Sequence, residues 1–373
     1  MATTTLTAVR VPTVATDSTP FLARLTPNWF AVVMGTGIVA VGAAALPVHL
    51  PGHLVVARTF WLLAAAALLV LSVATGALWL LHREHALAHA RNAATAPFFG
   101  AVAMGILTVG AGTLAAGADL IGDRPAAAIA MTLWLIGTAV GVVVAAVIPA
   151  RMVTGTPTPA WLMPVVAPMV SASTGAALLS HLPSGPARLA LLVACYALFV
   201  FALTAASAVL VTVIGHTRSH GLPALAAMPT VWIPLGVIGQ SVAAANLLGR
   251  YAGDAVGPAV AADLHAFGVG YGRVVGGLGV LAFGLACVLT VHAANRGLRF
   301  TMSWWSFTFP IGTCAVGAGA LSVATGSMAT AWLSAALLAL LVTVWCLVAA
   351  QTARGLWTGT LLGSASVPPV PPR

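Results

Sequence analysis

The sequence predicts an all-α integral membrane protein, and two observations predict this class: its composition and the length of its apolar segments. Of the 373 residues, 60% are hydrophobic and 6% are charged, and the mean hydropathy is +1.05. A water-soluble domain carries about 25% charged residues. Apolar segments of about 20 residues, the length needed to cross a hydrocarbon core of about 30 Å, recur along almost the whole chain. Water-soluble globular classes are therefore excluded.

About ten apolar segments are long enough to be membrane helices. The eighth has an ambiguous start, because "GPAVAADLHAFGVGYGRVVGG" fits one long tilted helix or an interfacial helix before a shorter span. We expect a transmembrane domain at 26–355 between two disordered cytoplasmic tails, 1–25 and the Pro-rich 356–373. The expected spans are 28–47, 57–81, 98–118, 126–149, 161–181, 188–215, 228–248, 270–292, 304–324 and 329–352.

The basic side chains predict the orientation in the membrane. All fifteen are arginines, and with a cytoplasmic amino terminus ten of them fall on the cytoplasmic side and four on the outer side, while Arg273 lies near the outer end of the eighth segment. This is the positive-inside pattern. We expect a multi-pass protein of the plasma or inner membrane with both termini in the cytoplasm. The arginines form no cluster, so the net charge of +9 does not indicate a nucleic-acid partner.

A proline near the start of, or within, every odd-numbered segment indicates a repeated unit. Pro27, Pro97, Pro164, Pro229 and Pro310 are separated by 70, 67, 65 and 81 residues, each about the length of a helical pair. The odd segments also carry hydroxyl and amide side chains, whereas the even segments are mostly aliphatic. Such groups are tolerated at membrane depth where they meet protein or water. We expect five helical hairpins around a central pore, with kinked odd helices inside.

The small and polar residues of the odd segments are the candidate pore lining. Their central portions contain no charged side chain, so hydroxyl, amide and freed backbone N–H groups would stabilise an anion there. Arg250 and Arg273, near the outer end, are candidates for attracting anions to the mouth. The alternative for the glycines is close helix packing. The candidates are Gly35, Thr36, Gly37, Ser171, Ser173, Thr174, Gln240, Ser241, Thr308, Pro310 and Thr313.

Three motifs, taken in order, resemble one transporter family. They are "PNWFAVVMGTGIVA" in the first segment, "PTVWIPLGVIGQS" in the seventh and "WWSFTFPIG" in the ninth. The combination resembles the tellurite-resistance/C4-dicarboxylate transporter family, which includes TehA-type proteins, malic acid permeases, sulfite efflux pumps and guard-cell slow anion channels. The resemblance covers roughly residues 25–355 and implies a homotrimer with one pore in each chain.

The resemblance also implies a phenylalanine gate, which falls on Phe309, with Phe307 as the second choice. A phenyl ring at a narrow point both blocks and dewets a path. Pro310 removes a backbone hydrogen bond and is expected to bend the helix beside the ring, so that the ring can be displaced.

The segment "HREHALAHA" provides an alternative from a different class. His82, His85 and His89 share one helix face, where they are candidates for metal binding in an integral membrane metalloenzyme. The plainer interpretation is a solvated helix end. A further alternative is a non-transporting membrane scaffold. A scaffold does not need polar side chains on the inner faces of its helices, so the pattern does not favour it. We expect transport of a small anion, such as malate, succinate, sulfite or another inorganic anion, with no catalytic residue, cofactor or bound metal.

Overall fold

The computed structural model describes residues 21–153 and 155–362, so the predicted tails at 1–20 and 363–373 lie outside the described residues. The described residues are almost entirely helical and contain no strand. Ten long helices make up the membrane domain in this part of the chain. They are α1 (Phe30–Ala44), α2 (His53–Leu81), α3 (Phe99–Gly112), α4 (Asp123–Met152), α5 (Leu162–Ala176), α6 (Pro186–His220), α7 (Ile233–Tyr251), α8 (Pro258–Asn295), α9 (Thr308–Thr325) and α10 (Met328–Trp357).

The membrane class predicted from composition is confirmed. Within the described ranges, nine helices are long and apolar enough to cross a membrane. The exception among the ten is α5, which contains Pro164 and Pro168, whereas α1 and α3 reach the required length together with their flanking turns. The predicted eighth span was too short, because α8 is one continuous helix of 38 residues from Pro258. The first of the two interpretations of that segment is therefore the one observed.

The odd-numbered helices form a closed inner ring. Helix α1 contacts α3 and α9, α5 contacts α3 and α7, and α7 contacts α9. Each even helix packs on the odd helix that precedes it in the chain. The most apolar windows of α1, α3, α7 and α9, with their flanking turns, are 67–78% buried, against 11–33% for the even helices. The predicted arrangement of five hairpins with the odd helices inside is confirmed.

Each odd helix is preceded by a 3-10 turn, and the repeated prolines lie in this turn or in the first turn of the helix. A proline has no N–H, and the first N–H groups of a helix have no intrahelical partner, so proline is tolerated at a helix start. The prediction that the repeated prolines kink the odd helices was wrong: Pro164 and Pro310 are each the third residue of their helix, and the other three precede theirs. The turns are Pro27–Trp29, Ala96–Phe98, Pro159–Trp161, Leu225–Trp232 and Met302–Phe307.

The glycines of α1 allow two inner helices to approach closely. A Cβ atom on Gly35 would overlap Thr308 of α9, and one on Gly37 would overlap Thr108 of α3. A larger side chain at either position would therefore push the helices apart. Helix packing, the alternative weighed for these glycines, accounts for both.

The folded region extends beyond the predicted domain at both ends. Residues Phe21–Arg24 form a 3-10 turn in which Ala23 is fully buried. The Ala23 carbonyl is 2.9 Å from His89 Nε2, and Arg24 Nη1 donates to the carbonyl of Leu362 at 2.6 Å. The beginning and the end of the described chain are thus joined at the end of the ring where the odd helices start.

The contact between α7 and α9 gives a test of the inner ring. A Cβ atom on Gly239 would overlap the backbone of Thr313 and Cys314, whereas one on Gly276 of α8 meets nothing within 4 Å. We expect Gly239→Ala to destabilise the fold by about 1–3 kcal/mol and Gly276→Ala to leave it unchanged. The measurement is the thermal unfolding midpoint of each variant in detergent; equal midpoints would contradict the packing.

Candidate functional site

A cavity of about 400 Å³ lies on the axis of the ring, at the end where the odd helices finish. Each odd helix contributes to its wall, so the cavity belongs to the ring as a whole. We call it the axial cavity. One lining residue from each helix defines its position: Ile38, Thr108, Val170, Gln240 and Val316.

The ring is closed on the other side of this cavity. Phe309 and three methionines, Met34, Met104 and Met163, surround a void of about 10 Å³ together with Gly236 and neighbouring residues. A void of this size is at the lower limit for one water molecule. All four side chains are at least 96% buried. We call Phe309 and the three methionines the axial plug, and it closes the axis to water.

The plug and the cavity floor are one helical turn apart on three helices. Ile38 follows Met34 by four residues, Thr108 follows Met104 by four, and Gln240 follows Gly236 by four. Residues four apart lie on one helix face, about 6 Å apart along the axis. Plug and cavity are therefore consecutive sections of one axis.

Of the predicted lining residues, Ser173, Thr174 and Gln240 line the axial cavity, and Phe309 and Pro310 lie at the plug. The structure turns Thr36 towards the outer helices. Its hydroxyl donates to the Val32 carbonyl at 2.7 Å and accepts from Trp345 Nε1 of α10 at 2.9 Å.

Four further predicted hydroxyls are not brought to the cavity. Thr308 and Thr313 are fully buried and donate to the carbonyls of the third residue before each of them. Ser241 donates to Ile238 at 2.9 Å. Ser171 is fully buried, and its carbonyl accepts from Trp134 Nε1 at 2.8 Å. Their hydroxyls bond to carbonyls of their own helix or of the turn before it, and none of the four residues lines the axial cavity.

Phe307, the second choice for the gate, lies in an aromatic cluster away from the plug. Its ring centroid is 5.7 Å from that of Trp232 and 5.8 Å from that of Trp304. The structure therefore separates the two phenylalanines of the ninth segment, with only Phe309 on the axis.

Hydroxyl protons in the cavity wall are directed away from its interior. Thr108 donates to the Met104 carbonyl at 2.9 Å, Thr174 to the Val170 carbonyl at 2.8 Å, and Ser173 to the same carbonyl at 3.0 Å. A hydroxyl has a single proton, so these oxygens keep only acceptor capacity. The wall is uncharged at this depth.

The rim of the cavity is positively charged. Arg250, at the end of α7, is exposed, and its guanidinium carbon lies 5.5 Å from the ring centroid of Tyr251. His181 also lines the rim, and no carboxylate is among the lining residues. Arg273, the other arginine proposed for the mouth, is exposed on α8 and does not line the cavity.

Thr108 and the three plug methionines lie at the axis, although none of them was among the candidates predicted from the sequence. Met34, Met104 and Gly236 each follow a turn proline by seven residues, namely Pro27, Pro97 and Pro229. The same spacing from Pro159 gives Val166, which also borders the plug. The repeat therefore does indicate the axial positions when the spacing is counted from Pro159. Counted from Pro164, the proline used above for the fifth segment, the spacing does not give an axial residue.

The histidine segment does not converge on a metal site. His89 is 2% exposed, and burial lowers its pKa below the ordinary value, while its Nε2 is bonded to Ala23. The rings of His82 and His85 are 6.3 Å apart. Among the described residues, no three His, Cys, Asp or Glu side chains are placed to hold a metal ion.

A ring of five membrane helices with an axial cavity, a positive rim and an axial plug is the architecture of a membrane transport protein. The sequence profile of the voltage-dependent anion channel family (SLAC1) matches residues 24–353. The chain belongs to this family, whose members transport anions. The family expected from the three sequence motifs is thereby confirmed.

Named relatives cover most of the chain. It is 28% identical over 302 residues to the sulfite efflux pump SSU1 of Arthroderma otae and to that of Trichophyton rubrum, covering 77% of this chain and 78% of each relative. It is 26% identical over 296 residues to an uncharacterised transporter of Methanocaldococcus jannaschii, covering 77% of this chain and 80% of the relative. These relatives are transporters, which points to a non-enzyme.

The difference between cavity and plug can be measured with introduced cysteines. In a chain whose four native cysteines are replaced, we expect Thr174→Cys to react with a water-soluble, membrane-impermeant thiol reagent. Met104→Cys should react at no more than about one tenth of that rate, because the plug excludes the water that carries the reagent. Comparable rates at the two positions would show that the axis is open.

Proposed function

We propose that this protein conducts small anions across the plasma or inner membrane along the axis of the ring, with Phe309 as the gate. The single observation that carries this proposal is the position of the Phe309 ring. It fills the axis one helical turn before the floor of a cavity lined by all five inner helices. Sulfite is the first substrate to test, because two relatives are named sulfite efflux pumps.

The charge distribution supports an anion as the cargo. Arg250 gives the rim a positive potential, which raises the local concentration of anions. The deeper wall has no charged side chain. A fixed cation there would hold an anion tightly and slow its release, whereas an uncharged wall allows passage.

The composition of the plug supports movement of the gate. Methionine is the most adaptable apolar side chain, so three methionines around Phe309 permit its ring to turn aside without movement of a helix. Gly236 borders the same void and adds no side chain to it. Opening then needs rearrangement of side chains within a small volume.

The proposed orientation places the axial cavity on the outer side. Arginine is in excess at the end where the odd helices start, which is the pattern of a cytoplasmic surface. The bond between Arg24 and Leu362 supports both termini lying on that side. Assembly as a homotrimer, with one passage in each chain, is part of the proposal and rests on the family resemblance.

Substitution of the gate is the direct test. We expect Phe309→Ala to raise passive nitrate and sulfite flux in proteoliposomes about tenfold or more, because the ring that occupies the axis is removed. A tenfold rise corresponds to a barrier about 1.4 kcal/mol lower. Phe307→Ala is the matched control, because its ring packs on Trp232 and Trp304 and should leave flux unchanged. Background flux in wild type and Phe309→Ala alike would remove the support for a gate and a passage.

The rim arginine provides a second test. We expect Arg250→Gln to lower anion flux about 2- to 5-fold at low ionic strength and less at high ionic strength, because salt screens its attraction. Arg124→Gln is the control: Arg124 is exposed at the same end of the bundle but does not line the cavity. Equal effects of both substitutions would contradict a specific role of the rim.

A further inference from the structure

The axial cavity has two chemically different ends. Its rim carries the donors Arg250 and His181. At the depth of Thr108, Ser173 and Thr174, each hydroxyl proton is already bonded to a carbonyl of its own helix. In the closed conformation the threonine oxygens can therefore accept hydrogen bonds from an occupant but cannot donate to it without breaking an existing bond.

Gln240 adds an amide group at the same depth. Its Nε2 donates to Ser173 Oγ, and Ser173 Oγ donates onward to the Val170 carbonyl. This chain fixes the amide orientation, because a reversed amide would place its oxygen against a hydroxyl whose proton is already used. The Oε1 atom is buried and has no hydrogen-bond partner among the described residues. An occupant cannot reach this buried oxygen, whereas Nε2 carries a second proton, so the floor keeps one amide donor.

The threonine oxygens discriminate between anions according to their protons. Nitrate or a fully deprotonated oxyanion brings only acceptors, so it can meet these oxygens only through intervening water. An oxyanion that keeps one acidic proton brings a donor of its own. It can direct that proton to Thr108 or Thr174 while its charged oxygens accept from the Gln240 amide or from water. It also carries one negative charge fewer into a poorly solvated section.

We propose that the axial cavity selects singly charged oxyanions that retain a proton, such as hydrogensulfite or the hydrogen form of a dicarboxylate, over the corresponding dianions. This assignment rests on the proposed function, since it describes the cargo of the same passage. Thr108 and Thr174 are the specificity-determining residues.

The test compares sulfite with nitrate as pH is lowered from about 8 to about 6, at constant total anion and constant voltage. Nitrate keeps its charge over this range, so it reports any change in the protein itself. The titratable and charged groups of the wall are Arg250, Tyr251 and His181, and the lining residues of α1, α3 and α9 include none. Flux into protein-free vesicles is subtracted, which removes permeation through lipid.

We expect the ratio of sulfite flux to nitrate flux to rise as hydrogensulfite replaces sulfite. In Thr108→Val and Thr174→Val, which keep the side-chain shape and lose the acceptor, the rise should shrink about 2- to 10-fold, the effect of one lost hydrogen bond. Thr132→Val is the matched control, because Thr132 makes the same bond to its own helix on the exposed face of α4.

A ratio that stays flat or falls with acidification overturns the inference, as does a rise that both valine variants leave unchanged. In each of those outcomes nitrate flux through the wild-type protein still supports the passage. If neither anion exceeds the protein-free background, even with Phe309→Ala, the proposed function itself fails together with the inference.

Discussion

The structure depends on the rule that a polar group at membrane depth must find its partner within the protein. Tryptophan indoles satisfy this rule in a way that also joins the two layers of helices. In each of five bonds an indole N–H links an outer helix to an inner helix or to its flanking turn. The pairs are Trp61 with Thr113, Trp134 with the Ser171 carbonyl, Trp232 with Thr290, Trp305 with Thr352 and Trp345 with Thr36.

The same rule shapes the passage. A hydroxyl in an inner helix satisfies its proton most simply by donating to a carbonyl three or four residues earlier. Thr108 and Thr174 do so, and their remaining lone pairs define the wall. The hydrogen-bond character of the cavity is thus a consequence of how each helix satisfies itself. The threonine acceptors and the positive rim follow from different parts of the chain, and together they define the chemistry of the axis.

Much of the architecture could be predicted from the sequence, because helices that cross a membrane have a distinctly apolar composition. The contrast between "ALLALLVTVWCLVAA" and the polar first, fifth and seventh segments correctly separated outer from inner helices. The site was readable only in part. Ser173, Thr174 and Gln240 were placed at the cavity, but Thr36 and Ser241 were not, because polarity marks an inner helix without marking which face meets the axis.

The sequence by itself determined the membrane class, the five hairpins and the presence of an inner ring, since each follows from hydropathy and polarity counted along the chain. Tertiary structure decided which residues face the axis. Met34 and Met104 are ordinary apolar residues in sequence, and they become part of a plug only because Phe309 from a distant helix lies beside them. Rotation of a helix about its own axis is set by contacts such as those of Gly35 and Gly37 with neighbouring helices, and composition does not record such contacts.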